Sequence, residues 1–336
     1  LSNEYNEKKS EISKAQYESR KLEFLEKYLN KTQKDPFLFP IIKSSQIDNF
    51  KIKGKGQRFC QENIANYHRP RAKYIYEGEK IICTRIGGKL KAALIKDKIY
   101  FASDVYVLKL KESKYYSTIT CCLNSILLDY FSQIKLRKRI DGSLSRLNTD
   151  DLEKLPIPKK INSQIENTFN SLLEGIEKGL YSFEDKKNEL NDLVFDLYDL
   201  TPIEKQRVLD FYMEEKVLTP SILETYSNVF YKTIRQYLNG SASLEYFSNS
   251  NLPLDVAGVK IVFGNSKKQV HIEQVVKFIN YQLLRRVGNT SLMTLRERIY
   301  DTDTIYILKD TNPRNWSKSQ AYDDAQFEIN KILKNE

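Results

Sequence analysis

The chain has 336 residues, 40% of them apolar, with 22 Tyr and 16 Phe against only 12 Gly. That composition excludes a disordered chain, because enough apolar surface is present to offset the ordering entropy, and the length accommodates two or three domains. No apolar run approaches the ~18 residues of a membrane helix, and the formal charge of +10 suits a soluble protein with an anionic partner.

The charge is unevenly placed. From Lys43 to Lys98 there are 14 Lys or Arg against 5 Asp or Glu, whereas from Tyr181 to the end 20 basic residues meet 22 acidic ones. Such a local excess is the footprint of a polyanion, of which nucleic acid is the commonest; the bland alternative is a lysine-rich solubilising face. Cys60, Cys83, Cys121 and Cys122 form no CxxC pair, so buried reduced thiols are expected rather than zinc ligands, in a cytoplasmic setting. The polar N-terminus is not a secretory signal. A first residue of Leu fits either a piece of a longer protein or an alternative start codon.

Residues 4 to 31 are expected to form a helix with Ile12, Leu22, Leu25 and Leu29 on one stripe, ended by the prolines of "KDPFLFP". From there to about residue 110 the pattern is of short strands and turns. "EKIICTRI", "LKAALI" and "DVYVLKL" read as strands, and "IGGK" as the tight connection between the first two. "YYSTITCCLNSILLDYFSQI" sets Tyr116, Ile119, Leu123, Ile126 and Tyr130 at helical spacing, a core stripe. A basic run and an Asp-Gly turn follow, and Pro156 and Pro158 make a stiff exit.

Between 161 and 198 the spacing predicts one or two amphipathic helices, the first lined by Ile165, Phe169, Leu172, Leu173 and Ile176. At "TPIE", Thr201 is the N-cap, Pro202 the first-turn residue and Glu204 the closing member of a capping box; Thr219 and Pro220 repeat the opening. The last hundred residues alternate strand-like "GVKIVFG" and "DTIYILK" with helix-like "IEQVVKFINYQLLRR" and "SKSQAYDDAQFEINKIL".

Catalytic motifs do not emerge. A P-loop needs four residues between its first glycine and Gly-Lys, then Ser or Thr; around Gly87 and Gly88 the lysine follows at once and Leu90 comes next. With only His68 and His271, a zinc site or a histidine triad has nothing to spare; His271, between Val270 and Ile272, reads as a strand residue. Asp150 with Asp151, and Asp323 with Asp324, suit helix N-termini and solvated faces. Glu184-Asp185-Lys186 has a nuclease's letters within a polar helix. "VFGNSKK" is too poor in glycine for a methyltransferase cofactor loop, and "NPRNW" lacks the second proline of an adenine-methyltransferase motif. Whether the chain belongs to an enzyme stays open on these grounds.

Four stretches, in order, carry a resemblance. They are "YHRPRAKYIYEGEKIICTRIGGKLKAALIKDKIYFASDVYVLKL", "YYSTITCCLNSILLDYF", "LEKLPIPKKINSQIENTFNSLLEGI" and "LNDLVFDLYDLTPIEKQRV". Over residues 36 to 205 this order is similar to the TaqI-type C-terminal specificity domain of adenine-specific DNA methyltransferases and fused restriction-modification enzymes. The element pattern gives an α+β protein with an N-terminal helix to residue 35, helices over 161–200 and a mixed α/β domain over 201–336. The resemblance implies that the β-rich part over 36–160 is a DNA target-recognition domain and that the helices over 161–200 are spacer or docking helices. It implies sequence-specific recognition of double-stranded DNA for an adenine-specific methyltransferase or nuclease, in a bacterial restriction-modification or phage-defence system. The alternative is the specificity part of a single-chain methyltransferase or methyltransferase-endonuclease fusion. No cofactor is expected on these residues; S-adenosylmethionine and magnesium are expected, if anywhere, on a catalytic partner or further domain.

The physical reading supplies candidate contacts. Duplex DNA carries a charge every ~1.7 Å of axis, so a recognition face needs several cations, and a strand pair can enter the major groove. Arg69, Arg71, Arg85, Lys89 and Lys91 are the first choices, with Gly87 and Gly88 allowing close backbone approach and Lys73, Lys96 and Lys98 beside them. Lys135, Arg137, Lys138 and Arg139 form a second set. Leu190, Leu193, Val194, Leu197 and Tyr198 make an apolar stripe for docking a catalytic partner, or else a plain spine between domains.

Overall fold

The computed structural model describes residues 29–54, 58–62, 72–85, 89–136, 149–158, 163–238, 242–249, 256–263, 296–301 and 304–334, with Gln16, Ser19, Glu23 and Lys27 before them. The chain divides into two compact units, Leu1–Asp199 and Leu200–Glu336. Both mix helices and strands, so the class is α+β as expected.

The first unit holds nine described strands: β1 (Leu29–Asn30), β2 (Phe39–Ile42), β3 (Ile47–Asp48), β4 (Lys51–Ile52), β5 (Arg58–Cys60), β6 (Lys80–Thr84), β7 (Ala92–Ile95), β8 (Tyr100–Phe101) and β9 (Val105–Leu108). β6 is the middle of an antiparallel sheet ordered β7-β6-β9, and a second sheet runs β1-β5-β2-β8. The period of two explains the layering. β6, β7 and β9 send Ile81, Cys83, Ala92, Leu94 and Tyr106 into one core, and Ile82, Ala93 and Val105 into the other. The middle sheet is thus buried on both faces, which is why Ile81-Ile82-Cys83 and Ala92-Ala93-Leu94-Ile95 are apolar without alternation. Leu29, expected on a helix, instead pairs with Cys60 across β1 and β5; the rest of that stripe lies outside the described residues.

Helices α1 (Tyr116–Asn124), α2 (Ile126–Phe131), α3 (Thr149–Leu152), α4 (Ser163–Glu177) and α5 (Phe183–Leu197) complete the unit. The single helix expected over 115–134 is two. Ser125 is extended at ψ 153° and its side chain accepts from Leu128 N, capping α2. The helical stripe is replaced by near-complete burial of α1, whose Thr118, Thr120, Cys121, Cys122, Leu123 and Asn124 are all inside. α4 and α5 place Phe169, Leu172, Leu173, Leu190 and Val194 in the same core as the strands. Ser182 and Asp185 cap each other at the start of α5, so the acid of Glu184-Asp185-Lys186 is a helix-capping residue. All four cysteines are buried thiols, and burial pushes that of Cys83 up to about 12.

The second unit opens with α6 (Pro202–Phe211) and α7 (Pro220–Ile234), begun by the Thr201–Glu204 capping box and by Thr219 as expected. Strands β10 (Ala242–Asn249), β11 (Val256–Phe263), β12 (Arg296–Asp301) and β13 (Thr304–Asp310) form an antiparallel sheet ordered β10-β11-β13-β12, followed by α8 (Lys318–Lys334). Val259, Ile261, Ile305 and Ile307 of the inner strands pack with Tyr226 and Phe230 of α7 and Ala325 and Ile329 of α8. The expected helix over 272–286, and His271, lie outside the described residues.

An ionic cluster ties this sheet to α8. Lys309 and Arg298 both bond Asp324, Arg298 Nε lies 3.1 Å from Glu328, and the Tyr226 hydroxyl donates to Asp324 at 2.5 Å. Asp324 is therefore not on a solvated face as its sequence suggested: it is 7% exposed, whereas Asp323 beside it is half-buried and pairs with Arg207. Among the described residues no helix is long and apolar enough to cross a membrane.

Candidate nucleic-acid interface

β6 and β7 form the hairpin anticipated in the sequence, registered Lys80↔Ile95, Ile81↔Leu94, Ile82↔Ala93 and Cys83↔Ala92. Beyond Cys83 the ladder is closed by side chain and backbone together. Thr84 N donates to Lys91 O at 3.0 Å, Lys91 N donates to the Thr84 hydroxyl at 3.1 Å, and that hydroxyl donates to Lys89 O. The hairpin is held shut up to Lys89, and Gly87 and Gly88 at its tip lie outside the described residues.

Among the described residues the outer edge of β7 has no strand partner, and helices supply one. Asn124, the last residue of α1, accepts from Ala92 N at 3.0 Å and donates to Ala92 O at 2.8 Å, mimicking a neighbouring strand. Its remaining positions receive Asn49 Nδ2 and donate to Thr120 O, so the carboxamide is fully used. Phe50 N also donates to Ala92 O at 2.8 Å, which docks the β3–β4 turn alongside. Two residues nearer the tip, Asp129 of α2 accepts from Leu90 N at 2.9 Å.

The candidate cations divide between the two ends of this hairpin. Arg85, Lys89 and Lys91 stand at the tip end; Lys73, Lys96 and Lys98 stand at the other, where β6 begins and β7 finishes. Four strand steps of ~3.3 Å separate the ends by about 13 Å. At the tip, Arg85 donates to Ser103 O, and its guanidinium covers the Tyr106 ring at 5.6 Å. Lys89 is exposed. Lys91 lies 2.6 Å from Asp48, which also meets Lys53 at 2.9 Å. Burial would raise the Asp48 carboxyl, but hydrogen bonds from Lys91, Lys53 and the Asn49 N–H outweigh it and hold the group at about 2.

At the far end Lys73, Lys80 and Lys98 are engaged with acids or carbonyls. Lys98 bridges Glu62 and Glu77, and Lys73 reaches Glu77 at 3.9 Å. Lys80 is wholly buried and donates to Gly78 O and Asp97 O; burial, with Lys109 nearby, lowers it to about 8. Lys96 is exposed and lines an open cleft of about 550 Å³ that also contains Lys114, Lys178, Glu79, Glu174 and Glu177. Equal numbers of each sign make that cleft no anion site.

Lys135 is exposed on the wide turn Ser132–Leu136 that continues α2 beyond Asp129. Arg69, Arg71, Arg137, Lys138, Arg139 and His68 lie outside the described residues. Of the docking stripe, Leu190 and Val194 are fully buried in this unit's own core, and Leu193, Leu197 and Tyr198 are partly buried against it. The Tyr198 hydroxyl donates to Pro156 O, and burial, then the Cys122 thiol, push its phenol well up. Among the described residues no group of three or more His, Cys, Asp or Glu converges on a metal position.

Sequence reasoning missed Asp48, Asn124 and Asp129. A lone Asp amid lysines reads as solvated, and Asn124 and Asp129 fall within what the spacing reads as one continuous helix; only the fold reveals that each touches a residue far away in sequence. What fold and site define is a strand hairpin with cations at its tip and helices bracing its edge. Residues 39–157 match the family model of the TaqI-like C-terminal specificity domain, which bears out over that span the resemblance read from the sequence. No curated protein is significantly similar to the chain.

Proposed function

We propose that the chain recognises a specific double-stranded DNA sequence for an adenine-specific methyltransferase or nuclease, within a bacterial restriction-modification or phage-defence system. The match to a specificity domain carries this reading, and the hairpin with Arg85, Lys89 and Lys91 at one end supports it physically. Cations there engage phosphate and fix orientation, while groups on the tip reach base edges. The basic excess between Lys43 and Lys98 provides the long-range attraction. Chemistry belongs to a partner subunit or domain, with S-adenosylmethionine there and magnesium where the strand is cut.

Selection from a pool of random duplexes tests the reading. The expected result is one enriched motif, with affinity for mixed-sequence duplex falling by orders of magnitude between ~50 and ~200 mM salt. Uniform recovery of all sequences, or no binding at the lower salt, would refute it. Co-purification with a candidate methyltransferase, followed by mapping of methylated sites, tests the partner.

A further inference from the structure

Lys89 and Lys91 are only as well aimed as the strand that carries them, and that strand is aimed by side chains from helices. β7 lies at a sheet edge, so backbone groups on its outer side need partners from elsewhere. They find Asn124 at Ala92 and Asp129 at Leu90, both acceptors buried at 5% exposure. The two bonds sit two residues apart, the spacing at which successive backbone groups face the same edge. Asn124 also takes Asn49 Nδ2, so one carboxamide fixes two hairpins relative to each other.

The helices are themselves fixed by a second buried amide. Asn191 of α5 accepts from Ile126 N at 3.0 Å, at the break between α1 and α2 that places Asn124 and Asp129 on either side of it. A chain of polar contacts therefore runs from α5 to α2 to the residue next to Lys89 and Lys91. Apolar packing tolerates sliding; hydrogen bonds of ~2.9 Å do not, because they weaken steeply off distance and angle.

We propose that Asp129 and Asn124 are positioning residues for DNA recognition: they touch no DNA themselves, and they set the register in which Lys89, Lys91 and the strand between them and Ala92 meet the duplex. This rests on the recognition reading above. It separates two properties that a purely structural role would couple, namely attraction to any duplex, which the cations supply, and discrimination among duplexes, which needs a fixed hairpin.

The test uses the full chain and Asp129→Ala, which removes the acceptor, beside Asp129→Asn, which keeps an oxygen for Leu90 N. A random-duplex pool measures discrimination, titration of mixed-sequence duplex measures attraction, and hydrogen exchange reports the Leu90 amide. For Asp129→Ala, Leu90 exchange should quicken and the selected-to-random affinity ratio should drop about tenfold, the size of one lost buried hydrogen bond, with random-duplex affinity and its salt slope retained. Asp129→Asn should restore both. Faster exchange with undiminished discrimination would overturn the positioning role. So would loss of attraction and discrimination together with melting temperature, or failure of Asp129→Asn to restore. If the wild-type chain enriches no motif at all, the recognition reading itself falls, whatever the exchange data show.

Discussion

The ammonium of Lys91 stands 2.6 Å from Oδ1 of Asp48, so one of the candidate DNA-binding cations already has an anion. Lys53 shares that carboxylate. Asp48 thus competes with phosphate for two lysines, and Asp48→Asn should raise affinity for mixed-sequence duplex at low salt by roughly three- to tenfold. The log–log salt slope should steepen by up to about two phosphate contacts, each worth ~0.9. Titrations of both proteins over the same salt series decide it; a weaker, less salt-dependent variant would show that Asp48 orients the lysines instead of restraining them. The carboxyl is lowered to about 2, so the pairing gives stability above the unfolded value near 3.8 that is lost as pH falls toward 2. Between pH 5 and 8 Asp48 should therefore add no pH dependence to binding.

Lys80 predicts an alkaline effect. Its folded value is lowered to about 8 while the unfolded chain keeps that of a free lysine, so between these values the unfolded state binds more protons. Stability from this group must then rise with pH from about 8 to 10.5, after a penalty on the order of 2–3 kcal/mol at neutral pH that the Gly78 and Asp97 carbonyls offset in part. Lys80→Met should flatten the slope. Urea denaturation of both proteins at several pH values isolates the difference, because Cys83 and the other alkaline groups are common to the two.

How much could be read beforehand follows from the range of each interaction. Capping at Thr201 and Thr219 is decided within three residues, and both were legible. The β6 and β7 strands were legible because burial on both faces leaves the apolar cores Ile81-Ile82-Cys83 and Ala92-Ala93-Leu94-Ile95. β10 and β12 were missed: as the outer strands of their sheet they pair on one side only, and an edge tolerates charged sequences such as "RERIYD". The break at Ser125 was hidden because its second support, Asn191, is 65 residues away from Ile126. The candidate cations were found as letters, but their division between the hairpin's two ends depends on register, which composition does not carry.

The stripe on α5 gives a stability prediction. Leu190 and Val194 are wholly buried with Phe169, Leu172 and the β6 residues, so truncation creates a cavity inside this unit. Leu190→Ala should cost about 2–5 kcal/mol, with Val194→Ala toward the low end. Truncating Leu193, which is half-buried, should cost less. Denaturation midpoints of the three variants rank them, and an exchange of the order between Leu190 and Leu193 would mean that the stripe's burial is misassigned.

Lys309 offers the sharpest contrast in the second unit. Its ammonium is buried, bonded to Asp324 and to Asn315 O, and lies 4.7 Å from the centre of the Tyr226 ring. Burial lowers it, and the same burial raises Glu328 on α8 against the pull of Tyr300 and Arg298. Removing the ammonium leaves Asp324 with Arg298 and the Tyr226 hydroxyl as its remaining partners, so Lys309→Met should destabilise by about 1–3 kcal/mol, although Met fills most of the space. Lys309→Met with Asp324→Asn should recover part of that loss, a coupling of at least ~1 kcal/mol in a double-mutant cycle. Glu328 adds a sign: held above its unfolded value, it binds more protons folded than unfolded, so its stabilisation is full below about 4.5 and is lost as pH rises through the folded value. Glu328→Gln should remove that decline. Additive effects of the two substitutions at Lys309 and Asp324, measured by urea denaturation, would show that the cluster is a row of separate contacts and not one network.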